Sequence, residues 1–146
     1  MTSRAILLSA LLLLAPLAAP AAESDARIVN AYFCNDAVEV DGWLQPVRVI
    51  TQLRGNHPAA AALFVLNVAL QPGRHELVGG VFGPDGKLFT QLEFKPEQVS
   101  EGESVRAMWG VLKNRLPTGG ITVKVFHRKD GGKRSELGEF YLPTVP

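Results

Sequence analysis

The three histidines and the single cysteine are the side chains in this sequence best suited to chemistry near neutral pH. His57, His75, His127 and Cys34 are all potential metal ligands, and imidazole is also a common general base. A local site would show two such residues two apart on a strand or four apart on a helix, and no such pair occurs. The sequence therefore predicts no metal site and no cofactor. Convergence of these residues from distant strands stays open as an alternative.

Cys34 lies in the apolar run "RIVNAYFCN" and is followed by "NDAVEV". A blue-copper site needs a cysteine followed within a few residues by histidine and then methionine, so that site is excluded. A lone cysteine also cannot form a disulfide within the chain. We expect Cys34 to be a buried small hydrophobic residue, with an intermolecular disulfide or a reactive thiol as the alternative.

Hydrolytic chemistry finds little support in the sequence. There is no G-x-S-x-G motif to present a nucleophilic serine on a strained turn. Glu97, Glu101 and Glu103 resemble the paired carboxylates of a glycosidase, but they lie in a polar connection with no apolar shell to raise the pKa of one of them. We expect a solvated loop there, and we predict that the protein is not an enzyme.

Positive charge is concentrated in "HRKDGGKR", which holds Arg128, Lys129, Lys133 and Arg134 around Asp130. Such a cluster can contact an anionic glycan, a lipid headgroup or an acidic partner protein. The competing interpretation is a hairpin tip whose charges keep exposed strand edges from pairing with neighbours.

Two aromatic residues are the other candidates for a binding surface. Trp43, in "VDGWLQP", falls in a predicted turn, where it either caps one end of the fold or lies on a ligand or partner surface. Phe89 breaks the alternation of its strand and is expected to face outward. Trp109, by contrast, has the alternation of a strand centre and is predicted to lie in the core.

Residues 1–21 have the layout of a secretory signal peptide: Arg4 near the start, an apolar run from Ala5 to Leu14, and small residues at Ala19 and Ala21. The apolar run is about half of what a spanning helix needs, so we predict cleavage and no membrane span in the mature protein. The expected location is the periplasm or the extracellular space.

The mature chain, residues 22–146, is predicted to be one domain. Without Arg4 it holds fourteen basic and fourteen acidic residues, and this neutral balance argues against nucleic acid as a partner. An envelope protein or an anionic glycan is the expected partner.

The hydrophobic pattern of the mature chain has a period of two throughout, with frequent Gly, Pro and Asp between the runs. "ITVKVF" alternates cleanly, and "QPVRVITQL" places Val47 and Val49 on one face. "AALFVLNVAL" is apolar on both faces apart from Asn67, as expected for a central strand covered on both sides. The pattern predicts eight strands, at 27–35, 45–53, 61–70, 75–82, 87–94, 104–113, 121–128 and 135–142.

The Asp-Gly pairs in "GVFGPDGKLFTQLEF" and "VKVFHRKDGGKRSELGEF" predict two β-hairpins, since these residues tolerate the positive φ of a tight turn. "PGRHELVGGVFGPDGK" followed by "GGITVKVFHRKDGGKRSELGEF" resembles the closing strands of bacterial immunoglobulin-like domains. The start, "AYFCNDAVEVDGWLQPVRVI", resembles a group of uncharacterised bacterial exported β-proteins. The resemblance implies an immunoglobulin-like antiparallel β-sandwich and brings no catalytic residues.

These observations together predict an exported, non-enzymatic β-sandwich that acts as a binding or assembly module. The alternative is a small enzyme or metal-binding protein whose His, Glu and Cys residues converge from separate strands. A structural subunit that assembles with copies of itself is a third hypothesis.

Overall fold

A computed structural model describes residues 24–54, 62–112 and 116–145, so the predicted signal peptide and His57 lie outside the described residues. Over those ranges the chain is all-β, and none of it forms a helix that could cross a membrane. Twelve strands are present there: β1 (Ala26–Cys34), β2 (Ala37–Val40), β3 (Trp43–Pro46), β4 (Leu53–Arg54), β5 (Ala62–Leu70), β6 (Gly73–Phe82), β7 (Leu88–Glu93), β8 (Glu97–Val99), β9 (Ser104–Leu112), β10 (Ile121–Lys129), β11 (Ser135–Leu142) and β12 (Thr144–Val145).

Two antiparallel sheets form the body of the molecule. The first has the order β1-β5-β9, and the second has the order β11-β10-β6-β7 with β8 also pairing with β6. Their inner faces share one hydrophobic core, which confirms the predicted antiparallel, sandwich-like arrangement. Two smaller pairs, β2-β3 and β12-β4, lie outside the main sheets.

Strand β5 is buried along almost its whole length, as its double-sided apolar pattern predicted. Phe64, Leu66 and Val68 belong to the core between the sheets. Asn67 points to the opposite face, where its side chain bonds to the backbone of Leu44 in β3. The β2-β3 hairpin therefore covers the outer side of the first sheet.

Both predicted hairpins are present, as β6-β7 and β10-β11. Asp130 and Gly131 have φ angles of 49° and 72° at the tip of β10-β11, so the Asp-Gly pair is used as expected. The β2-β3 hairpin turns in the same way at Asp41 and Gly42, with φ angles of 52° and 79°.

The prediction of one strand over 45–53 was wrong. Pro46 ends β3, and the residues that follow run beside the end of β1, held by backbone bonds such as Ile50 N–H to the carbonyl of Phe33 at 2.7 Å. Val47 and Val49, expected to share one apolar face of that strand, are 59% and 52% exposed. Their alternation is real, but the segment lies at the surface.

The prediction that Trp109 is a core residue was also wrong. Its indole is 57% exposed on β9, the edge strand of the first sheet, while Met108 and Gly110 face the core. Leu92 packs so closely that a Cβ on residue 110 would lie 3.1 Å from it. Met108 and Gly110 therefore occupy the inward positions of β9, and Trp109, which lies between them in the sequence, faces the outside.

Candidate functional site

The outer face of the second sheet carries a groove of about 510 Å³ at one end of the sandwich. Strands β10 and β11 build its floor, because their register places Thr122 opposite Tyr141 and Lys124 opposite Glu139. The walls come from the β6-β7 turn and from the loop that precedes β10. The lining residues are Phe82, Gly83, Pro84, Gly86, Gly119, Thr122, Lys124, Glu139 and Tyr141.

Tyr141 supplies an exposed aromatic ring in a fixed position. The side chain is 60% exposed, yet its hydroxyl donates a hydrogen bond of 2.9 Å to the carbonyl of Gly119. The ring lies over Gly120, which has a φ of +116° and no side chain in the way. A ring already held in one orientation loses little entropy when a ligand binds to it.

The loop under Tyr141 is in turn held by Thr144, which is buried. The Thr144 hydroxyl accepts from the N–H of Gly120 at 2.9 Å and donates to the carbonyl of Pro117. The Gly119 N–H donates to the Thr144 carbonyl at 3.0 Å. This wall of the groove is therefore anchored to the final strand by three hydrogen bonds.

Phe82 and Lys124 form the other part of the groove. The Lys124 ammonium lies 5.3 Å from the centre of the Phe82 ring, within cation–π range, and 3.8 Å from a Glu139 carboxylate oxygen. Phe82 lies across Gly80, where a Cβ would collide with the ring. The groove thus combines two aromatic rings with one ammonium, one carboxylate and the Thr122 hydroxyl.

Phe89, predicted to face outward, is 42% exposed. It lines a second hollow of about 380 Å³ with Leu88 and Pro117. The turn residues Gly83 and Pro84 line both hollows, so Phe89 lies on the far side of this turn from the groove.

Trp43 is the first residue of β3 and is partly buried. It lines a hollow of about 290 Å³ with Asn30, Tyr32 and its own strand neighbours on the outer side of the first sheet. The structure therefore separates Trp43 from Phe89 and from the groove.

Two of the four residues in the predicted basic cluster, Arg128 and Lys129, form ion pairs. Arg128 donates to Glu76 through Nε at 2.8 Å, and the same hydrogen bond and charge hold the pKa of the Glu76 carboxyl below its usual range. Lys129 pairs with Asp25 at 3.0 Å. Lys133 and Arg134 are exposed beyond the hairpin tip.

The glutamates considered as a catalytic pair do not form one. Glu97 lies on β8 and pairs with Arg106 at 3.2 Å, while Glu103 pairs with Arg27 at the same distance. Each of these carboxylates therefore faces an arginine.

His75 and His127 do converge, although their separation in the sequence gave no sign of it. Strands β6 and β10 pair side by side, and His75 Nδ1 lies 2.8 Å from His127 Nε2 inside the sandwich. The only signal in the sequence was that each histidine shares the inward phase of its strand with aliphatic residues. Within the ranges that the structure covers, no three His, Cys, Asp or Glu residues are grouped to hold a metal ion.

Cys34 is fully buried at the end of β1, as expected. Burial, aided by the negative charge of Asp36, raises the pKa of its thiol above the usual range. A buried thiol with a raised pKa is a poor nucleophile.

No known protein-family model matches the sequence, and no relative was found among curated proteins. The fold is similar to the C-terminal domain of Wzt, with a TM-score of 0.55, 16% identity, and coverage of 85% of this chain and 75% of that domain. It is also similar to part of a calcium-binding mutant of Bacteroides uniformis beta-glucuronidase 2, with a TM-score of 0.50, 15% identity, and coverage of 80% of this chain and 14% of that enzyme. These likenesses establish the class of the fold, a β-sandwich domain.

Proposed function

We propose that this chain is an exported, non-enzymatic β-sandwich that binds a saccharide in the groove of the second sheet. The single observation that carries the proposal is the Tyr141 ring, which is exposed and yet fixed by its bond to Gly119. An exposed aromatic side chain with its own anchor is suited to receive a ligand, since an unanchored ring would have to be ordered first.

The chemistry of the groove favours a sugar. The C–H faces of a sugar ring are apolar and match the flat faces of aromatic rings such as those of Tyr141 and Phe82. Sugar hydroxyls can bond to Thr122, to the Lys124 ammonium and to the Glu139 carboxylate, which all line the same groove. The Lys124 ammonium already pairs with the Glu139 carboxylate at 3.8 Å, so this pair adds no net charge to the groove, and acidic and neutral glycans are both candidate ligands.

The fold comparison is consistent with this role, because one similar structure is a portion of a beta-glucuronidase, a glycoside-cleaving enzyme by its name. At 15% identity the likeness supports the architecture, and the choice of a saccharide rests on the groove itself. The signal-like residues 1–21 support export to the periplasm or beyond the cell.

Titration of the purified protein, without residues 1–21, tests the proposal. Polygalacturonate serves as the acidic probe and dextran as the neutral one, with binding followed by calorimetry and by amide NMR shifts. We expect binding of at least one of the two polymers to shift the amides of β10 and β11, and Tyr141→Ala to weaken that binding at least tenfold. Trp109→Ala is the matched control, because it removes an equally exposed aromatic ring from the other sheet.

Two outcomes would overturn the proposal. One is an absence of binding to both polymers, and the other is equal binding by the parent protein and Tyr141→Ala. Loss of binding in Lys133→Glu with Arg134→Glu, while Tyr141→Ala still binds, would move the site to the hairpin tip. If the groove captures an envelope protein and binds neither polysaccharide, the ligand is a protein and the saccharide proposal is wrong.

A further inference from the structure

Two histidines form a buried polar pair in the core of the sandwich, away from the groove. His75 is fully buried and His127 is 5% exposed. Besides the 2.8 Å contact between the rings, His75 Nε2 lies 2.6 Å from the carbonyl oxygen of Gln71, just before β6. The rings are stacked, with centres 5.1 Å apart and planes 22° from parallel.

These distances determine where the protons are when both rings are neutral. A carbonyl oxygen only accepts, so His75 Nε2 carries a hydrogen and donates it to Gln71. His75 Nδ1 then carries no hydrogen and accepts a hydrogen bond. The hydrogen of that bond is carried by His127 Nε2, which is the donor. The donor chain therefore runs from His127 through His75 to Gln71, and His127 Nδ1 is left to take up a further proton.

The charged groups around the pair give little compensation for a proton added to it. Asp25, which approaches from the start of β1, is already paired with Lys129 of β10 at 3.0 Å. Glu97 of β8, whose backbone pairs with His75, is bound to Arg106.

The other charges nearby are paired as well. The Glu76 and Arg128 side chains pair with each other on the opposite face of the sheet, and Arg74 lies 3.9 Å from Glu76. The Asp130 carboxylate accepts the N–H of Arg74. Burial and the neighbouring His75 lower the pKa of His127, the Asp25 carboxylate opposes that shift, and Lys129 adds to it.

We propose that His75 and His127 form an acid-sensitive latch, which closes this end of the sandwich while both rings are neutral and loosens it when the pair takes up a proton. The latch joins Gln71, in the β5-β6 connection, to the end of strand β10 just before the hairpin tip. Protonation places a positive charge in the core, where an ion without a partner is costly.

The direction of the pH effect follows from linkage. The pKa of His127 is lower in the folded protein than its ordinary value of about 6.5, so the unfolded chain binds more protons below that pH. The stabilisation is complete above about pH 6.5 and is lost as the pH falls through the folded-state pKa. One proton changes the folding equilibrium constant by at most about tenfold per pH unit.

The segments that would open are marked by two hydrogen bonds, one between backbone groups and one from a backbone N–H to a side chain. Asp130 N–H donates to the carbonyl of Arg74 at 2.8 Å, and Arg74 N–H donates to the Asp130 carboxylate at 2.9 Å. Both contacts join the start of β6 to the tip of the β10-β11 hairpin. Their amide hydrogens therefore report on the latch without any change to the histidines.

Urea unfolding of the purified protein between pH 7.5 and pH 5.0 provides the test, with His127→Gln as the variant that lacks the ionisation of His127. The amide nitrogen of glutamine can donate to His75 in place of His127 Nε2, and the substitution removes one ring that ionises. We expect the folding equilibrium constant of the parent protein to fall by a larger factor than that of His127→Gln over this range. His57→Gln is the control, since it removes a histidine outside the pair, and it should follow the parent protein.

A second measurement does not depend on the variant folding. Nitrogen-15 NMR of the parent protein should show both rings as Nε2–H tautomers at pH 7.5 and a pKa for His127 below 6.5. Hydrogen-exchange protection of the Arg74 and Asp130 amides should fall on acidification before that of amides in β5. A charged His127 at pH 7, a pKa above 6.5, or equal pH dependence in parent and variant would overturn the latch.

Discussion

The phenol ring of Tyr141 lies directly over Gly120, so close that any side chain at position 120 would occupy the space of the hydroxyl. That hydroxyl bonds to the carbonyl of the preceding residue, Gly119, at 2.9 Å. One glycine therefore permits both the turn into β10 and the orientation of the Tyr141 ring that lines the groove. Stability and the proposed ligand binding therefore depend on the same close approach.

Gly120→Ala should destabilise the protein and displace the ring of Tyr141. Residue 120 has a φ of +116°, so alanine adds backbone strain of about 1–3 kcal/mol as well as a clash with the phenol. Urea unfolding measures the loss. Gly86→Ala is the control, because its φ of +74° is left-handed but its surroundings are open, and it should cost only about 1–2 kcal/mol. Equal losses in the two variants would show that the ring contact contributes nothing.

Asn67→Ala should release the β2-β3 hairpin from the first sheet. The Asn67 amide is buried, accepts from Leu44 N–H at 3.0 Å, and donates to the Leu44 carbonyl at 2.9 Å and to Asn30. Leaving these groups without partners should cost about 2–3 kcal/mol. Faster hydrogen exchange at the Leu44 amide would locate the loss.

Asn30→Ala provides the comparison for that variant. It removes one bond to Asn67 and leaves both bonds to Leu44 intact, so it should cost less than Asn67→Ala. If Asn67→Ala leaves the Leu44 amide as protected as before, the side chain does not hold the hairpin.

Cys34 should resist alkylation in the native protein. Its side chain is fully buried, and its raised pKa leaves little thiolate at pH 8. Reaction with iodoacetamide, followed by mass spectrometry, should be at least tenfold slower than for the chain unfolded in guanidinium chloride. Similar rates in the two states would reveal an accessible thiol and would revive the intermolecular disulfide as a hypothesis.

Trp109→Ser should leave stability almost unchanged, within about 0.5 kcal/mol, because the indole is exposed. Iodide should quench the fluorescence of the parent protein more than that of Trp109→Ser, in which only Trp43 remains. Gly110→Ala, one residue away, should instead cost about 1–3 kcal/mol, since Leu92 lies 3.1 Å from the added methyl group. The opposite order of stabilities would place Trp109 in the core.

Much of the fold was predictable because strand periodicity is local. Seven of the eight predicted strands correspond to observed ones, and 135–142 has the same bounds as β11, Ser135–Leu142. The segment 45–53 failed because alternation at an exposed edge looks the same as alternation on a sheet. The short strands β2, β8 and β12 were missed, and β3 and β4 coincide only with the two ends of 45–53, since two to four residues are too few for a period to show.

The candidate site was less predictable. Phe89 was expected to face outward and does, but nothing in the sequence singles out Tyr141, because a tyrosine near the end of a strand gives no sign of lying over a glycine. Arg128 and Lys129 were grouped with their neighbours as one basic cluster. Their partners, Glu76 and Asp25, are 52 and 104 residues away, so the ion pairs depend on which strands meet.

The sequence by itself determined the all-β character, the two long hairpins and the burial of β5, because each follows from the types and order of neighbouring residues. Tertiary structure alone decided which face of β9 meets the core, which charges are neutralised, and that His75 meets His127. The physical reason is that the pairing of distant strands brings together groups whose separation along the chain carries no signal. The groove that Tyr141 lines and the buried pair of imidazoles both arise from such pairings.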